Sequence, residues 1–114
     1  MKVSIHNVRP SATAPEVVDG RLALYAGKPA IIYHDQITEV DLGCIIELPN
    51  GYIGLFEPEN ELITISSVLC ENSGIVSGVV EGIRLRKGTN GSVKIKTGDS
   101  IGYLTLVKVT AVEL

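Results

Sequence analysis

The sequence predicts an all-β fold, and three observations carry that reading. Short runs rich in Val, Ile, Leu, Thr and Tyr recur along its 114 residues, the composition that suits a pleated, half-buried surface. Turn signals separate the runs at short intervals: "AGKPA", "LPNGY", "EPENE", "ENSG", "KGTNGS" and "KTGDS", each offering residues that tolerate the dihedrals of a tight turn. No segment keeps a helical period for about ten residues, the shortest length at which periodicity separates helix from strand. Strands at this spacing imply a sandwich, a jelly roll or a barrel.

In chain order the expected strands are "VSIH", "RLALYA", "AIIYH", "GCIIEL", "YIGLFE", "ITISSVL", "GIRLR", "VKIK" and "IGYLTLVKVTAVEL". The last shows the clearest local pattern. Tyr103, Thr105, Val107, Val109 and Ala111 alternate with Leu104, Leu106, Lys108 and Thr110, the period-two signature of a strand with two distinct faces. Asn90-Gly91, between "LRKGT" and "SVKIK", fits a tight hairpin turn, since both residue types tolerate positive φ. In "GIVSGVVEGI", residues 74 to 83, three glycines punctuate a β-branched run that holds one ionisable side chain, Glu81. That stretch reads as a hairpin whose glycines permit turns and bulges.

The chain is long enough to form one domain, 1–114, with a real core and without disulfides or metals. Hydrophobic residues make up 45% of it, with four tyrosines, one phenylalanine and no tryptophan, so aliphatic side chains must fill that core. A formal charge of −3 argues against a nucleic-acid surface. No apolar run reaches the roughly 18 residues that a membrane-spanning helix needs. The first residues, "MKVSIHNVRPSATAP", lack the apolar stretch of a signal peptide. The expected location is therefore the cytoplasm on synthesis. Cys44 and Cys70 lie in apolar strings, match no zinc spacing, and read as inert thiols. Glu57, Glu59 and Glu61 read as a solvated loop tip, splayed by strand-like alternation. The cations Arg84, Arg86, Lys87, Lys94 and Lys96 read as the outer face of alternating strands, and His6 and His34 stand alone.

Four stretches in order carry a family resemblance: "GRLALYAG" (20–27), "LPNGYIGLFEPENEL" (48–62), "ISSVLCENSGIVSGVVEGIRL" (65–85) and "IKTGDSIGYLTLVKV" (95–109). They resemble the deoxyuridine triphosphatase (dUTPase) family, whose pattern is roughly AGYDLYA, then IPxGYxGLxxPRSGLA, then GVIDxDYRGxI, then GDRIAQL. The resemblance implies a distorted jelly roll of the β-clip type, assembled as a homotrimer with active sites between subunits.

The chemistry of the family does not follow its scaffold. The first motif's aspartate, associated with metal-bound phosphates, corresponds to Ala23. The phosphate-gripping Arg-Ser-Gly of the second becomes Glu59, Asn60 and Glu61. In the third, the general-base aspartate and base-stacking tyrosine fall on Val79 and Val80, another aspartate on Ser77, and the arginine on Glu81. The fourth motif's glutamine becomes Tyr103, and the family's glycine-rich, arginine-containing arm is expected to be missing. Cleaving a phosphoanhydride needs a group to activate water and cations to offset charge, and valine cannot accept a proton. Two like charges at about 4 Å repel by roughly 1 to 4 kcal/mol between bulk water and a protein surface.

These replacements lead to the expectation that the protein is not an enzyme. No catalytic, cofactor-binding or metal-ligating residue is expected. The function expected first is that of a structural or interaction module, extending to a phage virion protein that decorates or cements a capsid. The alternative is a protein that binds a nucleotide or nucleoside, without hydrolysis, to sequester or sense it. Its vestigial pocket would be Gly74, Gly78, Val79, Val80 and Gly82. The expected partners are further copies of the chain, meeting as a trimer through Tyr103, Val107, Val109 and Ala111, and a larger assembly such as a capsid. Nucleic acid and membrane are not expected partners.

Overall fold

A computed structural model describes residues 2–110. The described residues build eleven strands: β1 (Ser4–His6), β2 (Glu16–Val18), β3 (Arg21–Tyr25), β4 (Ala30–Tyr33), β5 (Thr38–Glu47), β6 (Tyr52–Pro58), β7 (Val68–Cys70), β8 (Ile75–Val76), β9 (Val79–Lys87), β10 (Ser92–Ile95) and β11 (Ser100–Lys108). One short helix, α1 (Asn60–Thr64), and a tight turn at Glu71–Gly74 interrupt them. The all-β expectation holds.

Three antiparallel sheets form. One has the order β1-β5-β9-β7, a second β2-β3-β11-β6-β8, and the pair β10-β4 makes the third. A single core of buried side chains joins them, with Leu24, Ile32, Leu42, Ile46, Leu85 and Leu104 almost wholly removed from water. Each contribution follows from strand alternation. In β11, Leu104 is buried beside β3 and β6, while Tyr103, Thr105 and Val107 stand on the other face, opposite Glu57, Leu55 and Ile53 of β6.

Where β5 and the segment after β3 bring two backbones close together, only glycine fits. Gly27 N–H donates to the Asp41 carbonyl at 2.6 Å, and a Cβ on Gly27 would lie 2.4 Å from the Gly43 nitrogen. The β5–β9 register breaks at this point, between the pairs Asp41–Gly82 and Ile46–Val80. Residues 42–45 therefore bulge over a single partner residue, Glu81, as a strand does when it carries extra residues against its neighbour.

Several expectations are corrected. The run "ITISSVL" is not a strand throughout. The chain turns after Pro58, where the Glu59 carbonyl accepts from Leu62 N–H at 2.9 Å and Ile63 N–H at 3.2 Å, and extended structure resumes only at Val68. This turn lays Leu62 on the core and leaves Ile63 and Ile65 exposed. It also places Glu59 at the N-cap of α1 and Glu61 in its first turn, rather than along a strand. Asn90-Gly91 does not close a β9–β10 hairpin. β10 pairs instead with β4, Ser92 opposite Tyr33 and Ile95 opposite Ala30, and of the two turn residues only Gly91 adopts positive φ. The last strand stops at Lys108, so Val109 follows it, and Ala111 lies outside the described residues.

Candidate functional site

The glycine-rich stretch 74–83 is not a hairpin. β8 joins the five-stranded sheet through β6, with Ile75 opposite Leu55 and Val76 opposite Gly54. β9 joins the other large sheet through β5. Between them Ser77 and Gly78 carry the chain from one sheet to the other. Gly78 has a φ of +67° and its carbonyl accepts from Leu48 N–H at 2.9 Å. That bond fixes the crossing. Beyond it β8 and β9 part, and a cavity of about 510 Å³ opens between them.

Both walls present backbone as well as side chains. β8 is the last strand of its sheet, so its side away from β6 has no strand partner among the described residues. β7 covers β9 only at Leu85, Arg86 and Lys87, which leaves the stretch from Val79 to Arg84 uncovered on that side. Unpaired backbone N–H and C=O groups seek partners strongly, so the gap is suited to a ligand with its own donors and acceptors along one edge.

The rear of the cavity is a constrained turn. Asn72 (φ 53°), Ser73 (φ 54°) and Gly74 (φ 79°) are consecutive residues in the left-handed region. Single left-handed residues are ordinary, but a run of three including serine costs conformational energy and must be held by its surroundings. Asn72 Nδ2 donates to the Ile75 carbonyl at 3.3 Å, and Gly74 lies flat on the backbone of Phe56. Cys70 lines the same wall with its Sγ 3.8 Å from the Phe56 carbonyl oxygen, and burial pushes its thiol pKa up to about 11.

The residues expected in a vestigial pocket have different fates. Gly74, Val79, Val80 and Gly82 line the cavity, Val79 with 60% of its surface exposed and Val80 buried, while Gly78 makes the crossing turn. Sequence reasoning missed Glu39, Phe56, Glu71 and Arg84, which line it too. Glu39 arrives through register, opposite Arg84, with its Cγ filling the space that a Cβ on Gly82 would need. Glu39 and Glu81 also border an adjoining hollow of about 360 Å³. There Arg9 is ion-paired with Asp41.

The expected phosphate end lies elsewhere. Glu59, at the start of α1, accepts a hydrogen bond from Ser100 Oγ at 3.1 Å, and Glu61, Lys94 and Asp99 surround it in a separate hollow. Asp99 Oδ2 accepts from Lys96 N–H at 2.8 Å, which closes the turn ahead of β11. Of the expected interface residues, Tyr103 and Val107 stand on the outer face of the five-stranded sheet, and the Arg21 guanidinium stacks 4.1 Å from the centre of the Tyr103 ring. Among the described residues no three His, Cys, Asp or Glu side chains converge as a metal site.

No family model and no curated protein matches this chain in sequence. Solved structures do match in fold. A mutant of the dUTPase from phage phi11 of S. aureus superposes with a TM-score of 0.82 at 14% identity, covering 100% of this chain and 95% of that one. The fold is dUTPase-like. The Staphylococcus bacteriophage 80alpha dUTPase superposes with a TM-score of 0.79 at 16% identity, covering 99% of this chain and 94% of that one. The same phage enzyme solved with dUpNHpp gives a TM-score of 0.81 at 16% identity, over 99% and 86% of the two chains.

These matches overturn the expectation that the protein is not an enzyme, since the solved dUTPase-like structures it resembles are those of enzymes. The physical error was to look for chemistry only at motif positions. Valine at 79 and 80 removes two groups from the cavity, but the fold brings Glu39, Glu71, Glu81 and Arg84 into its lining. Carboxylates and a guanidinium are able to move protons and bind charge from off-motif positions, so the replacements exclude no activity.

Proposed function

We propose that this protein binds a nucleoside or nucleotide, with the base held in the cavity between β8 and β9. The observation that carries the reading is the pair of facing strand edges, unpaired with each other across a cavity of about 510 Å³. Small-molecule sites commonly enclose about 300 to 1,000 Å³ and fix their ligand with a few well-placed polar groups. Here backbone supplies the polar groups, Val76, Val79 and Val80 supply apolar contact, and the held turn at Asn72–Gly74 keeps the walls in place. The 80alpha dUTPase, solved with the nucleotide analogue dUpNHpp on the same fold, supports a nucleotide-type ligand.

Isothermal titration with deoxyuridine and its phosphates tests the reading. Val79→Trp is the informative variant, because Val79 is exposed on the cavity wall and its replacement disturbs no buried packing. Binding should be lost while the unfolding midpoint stays unchanged. Heat evolved equally by wild type and variant would place the ligand elsewhere, and no heat with any nucleoside would remove the reading. Pyrophosphate release, followed in the same samples, shows whether bound dUTP is also cleaved.

A second reading, an interaction module, is favoured by the outer face of the five-stranded sheet. Ile53, Leu55, Ile75 and Val107 lie on one side of neighbouring strands there, three of them substantially exposed. Apolar residues gathered on one face mark interaction surfaces more often than scattered ones do. We propose that this face joins copies of the chain into a homotrimer, a unit able to sit in a larger assembly such as a capsid. The 80alpha dUTPase is described as controlling transfer of virulence genes, which supports an interaction role for a dUTPase-like fold.

A further inference from the structure

We infer that the cavity between β8 and β9 selects its ligand by charge, taking an uncharged nucleoside in preference to the same nucleoside carrying phosphates. The inference rests on the proposed reading of that cavity as a base site and names the class of ligand within it. Its basis is the ionisable lining. Glu39, Glu71 and Glu81 face the cavity with one cation, Arg84. Arg84 stands across the strands from Glu39, one guanidinium against three carboxylates in the lining. The adjoining hollow offers no compensation. It shares Glu39 and Glu81, and its own cation, Arg9, is engaged by Asp41.

A nucleobase and sugar present no formal charge, and the backbone edges of β8 and β9 can satisfy their polar groups without reference to the glutamates. Each phosphate added to the sugar brings negative charge to a mouth where carboxylates outnumber guanidinium. No histidine, lysine or second free arginine lines the cavity among the described residues. Glu39, Glu81 and Arg84 are solvent-exposed and Glu71 is half-buried, so salt screens their repulsion, with a screening length of about 10 Å at 0.1 M.

The salt response is therefore the distinguishing measurement. Deoxyuridine, dUMP and dUTP are titrated into the full chain, with a chelator present so that no metal carries the phosphate charge. Near about 0.01 M salt dUTP should bind at least tenfold more weakly than deoxyuridine, and near about 1 M, where the screening length falls from ~30 to ~3 Å, the gap should close. Affinity for deoxyuridine should stay level throughout. A site built for phosphate shows the reverse, losing affinity as salt rises. The double variant Glu39→Gln, Glu81→Gln should strengthen dUTP binding, relative to deoxyuridine binding, about tenfold at low salt. Because both carboxylates are exposed, this variant is expected to fold. Tighter binding of dUTP than of deoxyuridine by wild type, or dUTP binding that salt weakens, would overturn the charge selection while leaving the base site intact. Failure of deoxyuridine to bind at any salt would remove the base site itself, and this inference with it.

Discussion

Gly74 lies flat against the backbone of Phe56, so closely that a Cβ at position 74 would sit 2.3 Å from the Phe56 carbonyl oxygen. The same glycine holds a φ of +79°. Two independent penalties therefore meet at one residue, and Gly74→Ala should cost about 2–4 kcal/mol from left-handed strain and forced separation of the strands. Gly78, with a φ of +67° and open space around it, incurs only the first. Gly78→Ala should cost about 1 kcal/mol. Urea unfolding of the two variants measures the difference, and equal costs would show that Phe56 does not confine the turn.

Cys70 gives a pH-dependent prediction whose sign is fixed by burial. Its thiol is raised from 9.0 to about 11 in the folded chain because the protein disfavours the thiolate. A folded-state pKa above the unfolded one stabilises the protein below pH 9.0, and that contribution is lost as pH rises toward about 11. Wild type should therefore lose stability across this window, and Cys70→Ala should lose less. Burial raises the Cys44 thiol in the same direction, against the opposing charge of Arg9, so the variant should keep part of the slope. Identical pH profiles for the two proteins would mean that Cys70 is not shielded. Alkylation gives a second check, with Cys70 expected to react slowly near neutral pH because little of it is thiolate.

What the sequence shows well is alternation, and what it hides is partnership. Tyr103, Thr105 and Val107 fall on one face and Leu104 on the other because side chains alternate along any strand, whatever pairs with it. The pairing of β10 with β4, and the separation of β8 from β9, depend on which distant edge is free once the core has closed. No local pattern near Asn90-Gly91 or Ser77-Gly78 encodes that. The cavity was half legible for the same reason. Its glycines and valines stand together in the chain, whereas Glu39 reaches it only through the β5–β9 register. Helix α1 was missed because tertiary packing of Leu62, rather than any helical period, holds its single turn.

Arg9 tests how the amino-terminal segment is held over β5. Its guanidinium pairs with Asp41, and its backbone N–H donates to the Gly43 carbonyl at 2.9 Å. Both side chains are partly exposed, at 40% and 32%. Arg9→Ala should then cost at most about 1 kcal/mol, the usual worth of a screened pair, and high salt should shrink the difference from wild type. A loss several times larger and insensitive to salt would show that the side chain seals the core beneath it, where Cys44 is buried.

Val107 decides the self-association. It is 37% exposed at the end of β11, opposite Ile53, and continues an outward stripe through Leu55 and Ile75. In a lone chain this stripe would face water. In a trimer it would be covered, and closed threefold symmetry would use the same patch on every copy. Val107→Lys places a charge within the stripe without touching the core, so the fold should survive while the assembly weakens, because an unpaired charge is costly to bury. Lys108 follows on the alternate side of the strand and is already charged and exposed. Lys108→Glu should leave assembly unchanged. Gel filtration with light scattering gives the masses, and circular dichroism confirms that both variants are folded. Wild type is expected at three times the 12.1 kDa chain mass, with Val107→Lys moving toward one. A wild-type mass near 12.1 kDa at micromolar concentration would sink the trimer. A trimer indifferent to Val107→Lys would move the interface off this face.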